Sequence, residues 1–132
     1  MDNTPVKVVI LAGTTFDAMA RVVGHDAEPL TIADVATVEY SIVKVNTLDR
    51  DEDHAIADHT EEDLQPADVL FDSLQKDALW GDRDEVGYNF RHMPPIDEAA
   101  AFAEPNALYQ LTYTLTPAEG QPIKIRFDVS TI

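Results

Sequence analysis

The sequence predicts an all-β fold, a sandwich of about seven antiparallel strands with one or two short helical turns. Three observations predict it. First, Tyr109, Leu111, Tyr113 and Leu115 alternate with Gln110, Thr112 and Thr114, and Ile123, Ile125, Phe127 and Val129 alternate with Lys124, Arg126, Asp128 and Ser130. A Pro117–Pro122 stretch containing Gly120 separates the two runs, so they read as a hairpin with one buried and one wet face. Second, other short apolar runs recur along the chain between turn signals. Third, no long segment carries the 3.6-residue periodicity of a regular helix.

The elements follow in order. Val6 to Leu11 is a first strand ending at Ala12-Gly13. Thr15 to Val23 is a second, with Phe16, Ala18, Ala20 and Val22 on the apolar face and Asp17, Met19 and Arg21 on the wet one. Residues 24–29 (GHDAEP) form a turn, and Leu30 drops back into the core. Thr31 is a suitable N-cap for one helical turn, with Asp34 three residues on. Thr37 to Val45 is a third strand, with Val38, Tyr40 and Ile42 on one face and Val43 and Val45 on the other.

Residues 46–68 form an acidic excursion (NTLDRDEDHAIADHTEEDLQPAD), read as a surface loop with a short helix near Thr60–Leu64. Val69 to Leu74 is a fourth strand. Residues 75–86 are a polar connection pinned by Trp80, and Gly87 to Met93 is a fifth strand closed by Pro94-Pro95. Ile96 to Phe102 reads as a short helix before the hairpin. With 132 residues and no repeat or linker, one domain over 1–132 is expected.

Charge narrows the function classes. The chain has 25 acidic and nine basic residues, a net charge of −16. Such a field repels nucleic-acid phosphates and anionic membranes, so neither is an expected partner. It also suits a saline or divalent-rich setting, where screening relieves self-repulsion, as well as an ordinary soluble acidic protein. Without cysteine, disulfides and thiolate metal sites are excluded. Val6–Ala12 is shorter than the roughly 20 residues a membrane-spanning helix needs. Asp2 and Asn3 replace the basic lead of a signal peptide. No signal peptide or transmembrane segment is therefore expected.

Four constellations could carry chemistry. Asp49, Asp51 and Asp53 have the alternate spacing of carboxylates that converge on Ca2+. The loop is not an EF-hand, because His54 and Thr60 stand where Gly and Glu are required; a solvated acidic loop competes with a looser Ca2+ site and is favoured. His54 and His59 lie five residues apart, not the four of a helical zinc pair, and read as surface histidines, with His25 and His92 elsewhere. Carboxylate pairs are inevitable in so acidic a chain and point to no particular acid–base couple. Ser41, Ser73 and Ser130 sit in strand patterns outside any nucleophile elbow, and no phosphate-binding glycine loop is present.

The aromatic residues are the fourth. Tyr88, Phe90, Tyr109 and Tyr113 read as core, with tyrosine hydroxyls bonded to backbone. Tyr109 has the placement of a tyrosine corner. Trp80, flanked by Gly81-Asp-Arg-Asp84, is the aromatic residue placed to contact a ligand or partner.

Phe16–Val23 with the Asp26–Leu30 turn, the Val35–Val45 strand, Val69–Leu74, Trp80, Gly87–Phe90 and the Tyr109–Val129 hairpin together resemble the Ig-like domains of tailed-phage virion proteins, of the type found at the N-terminus of baseplate upper proteins. Ala27-Glu28 stands where the turn of that group has Gly, and residues 46–68 have no counterpart. The resemblance implies an Ig-like sandwich with a non-enzymatic structural role in a head decoration, connector, tail or baseplate. It implies other virion proteins as partners, homo- or hetero-oligomeric assembly, synthesis in the host cytoplasm, and no cofactor or catalytic residue. The alternatives are a Ca2+-dependent carbohydrate- or surface-binding module using Asp49, Asp51, Asp53 and Trp80, and a small hydrolase with an unrecognised carboxylate pair.

Overall fold

The computed structural model describes residues 6–24, 28–45, 59, 61–75, 87–94 and 102–132, and the backbone of residues 54–55. The fold is all-β, built from two sheets with very little helix. The strands are β1 (Val6–Ile10), β2 (Ala18–Ala20), β3 (Val35–Val45), β4 (His54–Ala55), β5 (Glu62–Leu64), β6 (Leu70–Gln75), β7 (Tyr88–His92), β8 (Leu108–Pro117) and β9 (Ile123–Thr131). One 3-10 turn covers Ile32–Asp34, and one short helix, α1, covers Pro66–Val69.

The large sheet runs β1-β9-β8-β3, with β4 and β5 both paired along the outer side of β3. Its centre is the hairpin the alternation predicts. β8 and β9 pair antiparallel from Leu108↔Ser130 to Leu115↔Ile123, and β3 joins β8 antiparallel from Val35↔Pro117 to Val45↔Leu108. This register sets Tyr40 beside Tyr113 and Ile42 beside Leu111. The side chains at 38, 40, 42, 109, 111, 113, 115, 127 and 129 form one buried face. Period-two spacing leaves no other arrangement that hides them together.

The small sheet, β2-β7-β6, covers that face. Ala18, Val22, Leu30, Val69, Leu70 and Phe90 meet the large sheet's residues in a single core, sealed by Phe102. Phe16 packs beside it, with ring centroids 5.8 Å from both Phe102 and Phe127. The arrangement is therefore sandwich-like.

Several details differ from the sequence-based expectation. β1 runs parallel to β9, from Val6↔Phe127 to Ile10↔Thr131, so the large sheet is not purely antiparallel. No tight turn links these two strands, so chain connectivity does not impose an antiparallel orientation. The second strand spans Ala18–Ala20 only. Its ladder with β7 ends at Ala20↔Phe90, and beyond it the Asn89 side chain takes both backbone groups of Val22. Met19 is buried, not wet, in a second cluster with Tyr88 and half-buried Phe71.

The third strand begins at Val35, two residues early, with an irregularity between Val35 and Thr37. The acidic stretch expected to be helical near Thr60–Leu64 instead supplies β5, whose backbone pairs with β3 from Val38↔Leu64 to Tyr40↔Glu62. The helix comes next, at α1, where Pro66 sits at its first position. The turn at Thr31 forms as expected: the Thr31 N–H and hydroxyl both donate to the Asp34 carboxylate, each at 3.0 Å. The expected helix from Ile96 lies largely outside the described residues.

Candidate functional site

Two features are candidates for function: a buried tyrosine–histidine cluster between the sheets, and an apolar groove at one open side.

The cluster is built from β3, β7, β8 and residue 59. Tyr40 and Tyr113 face inward from neighbouring strands, and each carries a phenol hydroxyl that needs a partner once buried. Histidines supply both partners. His59 Nδ1 lies 2.8 Å from the Tyr40 hydroxyl, and His92 Nδ1 lies 2.7 Å from the Tyr113 hydroxyl. The Tyr40 ring contacts His59, His92 and Tyr113, with centroids 5.9, 5.1 and 6.0 Å away. Phe90 packs edge-on to Tyr113 at 4.7 Å.

Burial pushes the His92 imidazole down to about 4, and the neighbouring His59 adds to the shift. Burial, with Tyr40 beside it, raises the Tyr113 hydroxyl well above its ordinary value. Both groups are therefore held neutral near pH 7. His59 is only 1% exposed, which corrects its reading as a surface histidine. Its carbonyl also accepts from the Ile42 N–H at 2.8 Å, so the backbone at residue 59 docks on β3. The cluster ties the layers together, with Tyr40, Tyr113 and His59 buried and His92 half-buried.

The second feature lies where, among the described residues, the two sheets leave an edge uncovered. β1 has β9 as its neighbour in the large sheet, and β2 has β7 in the small one. Between β1 and β2 an open groove of about 320 Å3 is lined by Val6, Val8, Ile10, Phe16, Met19 and Phe127. Asp17 also lines it, and its carboxylate accepts from Arg91 Nε at 2.9 Å. Val9 is 65% exposed on β1, and Leu11 and Ile132 are similarly open beside it.

The residues singled out in the sequence fare differently. Asp49, Asp51, Asp53 and Trp80 lie outside the described residues. So do His25 and the side chain of His54. Among the described residues, no group of three or more His, Asp or Glu side chains could hold a metal ion. Ser41 accepts the Glu61 N–H at 2.9 Å and serves the turn into β5. Tyr88, Phe90, Tyr109 and Tyr113 are core residues as expected, but the Tyr113 hydroxyl meets the His92 side chain and not a backbone group, because His92 of β7 faces it across the core. The Tyr109 hydroxyl accepts the Glu104 N–H at 3.0 Å, a bond to backbone five residues upstream, much as a tyrosine corner makes.

Sequence reasoning missed the tyrosine–histidine pairs and the groove. A signal for the first was available: Tyr40 and Tyr113 both alternate inward, and a buried phenol searches out one of few polar partners. The groove depends on β1 and β2 of different sheets coming side by side, which no local pattern encodes. Among the described residues, no helix is long and apolar enough to cross a membrane. No protein-family model, curated protein or solved structure matches this chain.

Proposed function

We propose that this chain is a non-enzymatic structural component of a phage or phage-like particle, an Ig-like sandwich that works through protein–protein contacts in a head decoration, connector, tail or baseplate. The observation that carries the contact role is the apolar edge at β1, which among the described residues pairs with β9 alone. Soluble β proteins commonly blunt such edges with charge, proline, bulges or a covering segment. Here the strand reads VKVVI, and Val6, Val9 and Leu11 are exposed along or just beyond it. The tyrosine-corner-like bond of Tyr109 supports the Ig-like reading. Assignment to a particle rests on the resemblance carried by the strand pattern, and it implies other virion proteins as partners after synthesis in the host cytoplasm.

Mass spectrometry of density-purified particles from the source lysate tests the reading. The expected result is this chain at a fixed stoichiometry with capsid or tail proteins. Its absence from particles would overturn the proposal. If Trp80 fluorescence then responded to Ca2+, the Ca2+-dependent binding module built on Asp49, Asp51 and Asp53 would replace it.

A further inference from the structure

We infer that the outward face of the large sheet is a self-association surface, on which a second copy of this chain docks face to face about a two-fold axis running along β8. The inference goes beyond the assembly reading above: it names a contact between copies, and it stands on the register of the sheet.

That register decides what the face carries. Tyr113, Leu115, Ile123 and Phe127 are buried on the inner side, so Thr112, Thr114, Lys124 and Arg126 turn outward between them. Thr114 pairs with Lys124 on one side and with Glu39 on the other, and Glu39 pairs with Asp63 of β5. One row across the sheet therefore reads Lys124–Thr114–Glu39–Asp63, basic at β9, neutral at β8 and acidic at β3 and β5. The next row reads Arg126–Thr112–Ser41. In the row after that, Lys7 lies beside Asp128, whose carboxylate is 3.2 Å from Arg126 Nε. Among the described outward positions of these strands, Lys7, Lys124 and Arg126 thus balance Glu39, Asp63 and Asp128. Neither Lys124 nor Glu39 has an ion-pair partner among the described residues.

The polarity of the row selects the axis. A closed dimer uses the same patch on both copies. With the two-fold along β8, β9 of each copy lies over β3 of the other, so Lys124 faces Glu39 of the second copy and the pair recurs by symmetry. Thr112 and Thr114 lie on the axis, where short side chains let the sheets close to the roughly 10 Å of a packed pair. Leu108, outward and half-buried on the same strand, meets its own copy. A two-fold across the strands would instead set β9 over β9 and β3 over β3, like charges against like.

The face is also large enough. Strands of the lengths found in β1, β9, β8, β3, β4 and β5, spaced about 4.8 Å apart, present about 650 Å2 per copy. Specific interfaces bury roughly 600–1,000 Å2 per partner.

The test is sedimentation of the full chain at about 0.15 M salt, where charges beyond roughly 8 Å are screened and facing pairs are not. The wild-type chain should dimerise reversibly. Lys124→Glu and Glu39→Lys each set like charges together in both contacts, so each should weaken the dimer at least about tenfold. The two substitutions combined restore both pairs with their polarity exchanged, and should bring the dimer back to within about threefold of wild type. An equimolar mixture of the two single variants should form a mixed dimer, since each supplies the charge the other lacks. Thermal midpoints check that all the variants are folded. Thr114→Cys places a lone thiol on the axis of a chain that has no cysteine, and a short bis-maleimide should cross-link it. Ser73→Cys, at an exposed position of the small sheet, should not cross-link.

A wild-type chain that stays monomeric up to about 0.5 mM would overturn the inference. So would a tighter dimer in Glu39→Lys, because net charge alone would then be acting. A folded double variant that fails to recover, or equal cross-linking at positions 73 and 114, would overturn it as well. A monomer in solution with the chain present in particles removes only this contact. A dimer with the chain absent from particles removes only the particle role.

Discussion

The two sheets of this molecule are held by different physics. The large sheet is long and regular. β3, β8 and β9 pair over eight or more positions, and their inward residues are almost all aliphatic or aromatic. The small sheet is short and irregular. β2 contributes three residues, and the β6–β7 pairing shifts register between Leu70 and Gln75. Polar and conformational pins do there what length does in the large sheet. Asn89 Nδ2 donates to the carbonyls of Val22 and Leu30, each at 2.9 Å, and Asn89 Oδ1 accepts the Val22 N–H at 2.7 Å. Gly87 takes a φ of +102°, and a Cβ there would lie 2.4 Å from the Gln75 carbonyl oxygen. A sheet too short to be fixed by burial alone is fixed by a few bonds that accept no substitute.

Substitutions at Phe127 and Asn89 should separate the two sheets by the largest margin. Phe127→Ala empties a buried site that touches Phe16 and Tyr113, and should cost about 3–5 kcal/mol in denaturant unfolding. Phe127→Leu should recover a good part of that loss, because the site responds to volume. Asn89→Ala strands the Val22 N–H and the Leu30 carbonyl in the interior, while the Val22 carbonyl keeps the bond from the Leu30 N–H, for about 2–4 kcal/mol. Asn89→Leu should recover nothing, although leucine has nearly the shape of asparagine and is more apolar. If leucine rescued position 89, the small sheet would be held by packing after all.

The same contrast explains what the sequence disclosed. Alternation at Tyr109–Leu115 and Ile123–Val129 made the hairpin, its register and most of the core legible, because a one-residue slip would expose the whole set. Strand β5 was hidden, since Glu62 and Asp63 pair through backbone groups that side-chain chemistry does not announce. Asn89 looked like any polar residue on a strand, as its three bonds reach residues far away in sequence. His59 sits in an acidic run whose composition argues for solvent, and contacts with distant β3, at the Tyr40 hydroxyl and the Ile42 N–H, hold it inside. Local patterns thus revealed the large sheet, while the pins of the small sheet and the β1 groove depend on contacts between distant segments.

A smaller effect tests the bond that joins the sheets, between His92 of β7 and Tyr113 of β8. The His92 imidazole titrates near 4 in the folded chain and near 6.5 when unfolded. Between those values the unfolded state binds the extra proton, so His92 costs stability as pH falls from about 6.5 to about 4, and no further below. The loss should reach about 2–3 kcal/mol. Protonation of the many carboxylates also changes the charge over this range, so the measurement is the difference between the wild-type chain and His92→Gln. Chemical denaturation at intervals from pH 7 to 4 should show the two stabilities converging on acidification. Parallel curves would mean that the imidazole does not sense the fold.

The smallest expected effect concerns the ion pair on the small sheet. Arg91 Nε and the Asp17 carboxylate are 2.9 Å apart, with side chains 37% and 23% exposed. Water screens such a pair, so a double-mutant cycle with Arg91→Met and Asp17→Asn should give a coupling of about 0.2–1 kcal/mol that shrinks as salt is added. This separates two kinds of polar contact within one sheet. Asn89 is buried and neutral, its partners have no access to water, and removing it is expensive. Arg91 and Asp17 can exchange each other for solvent and lose little. A coupling above about 2 kcal/mol that survived high salt would place the pair among the pins, and the small sheet would then depend on charge as well as on buried hydrogen bonds. Because Asp17 also lines the groove beside β1, that result would couple the wall of this groove to the stability of the sheet behind it.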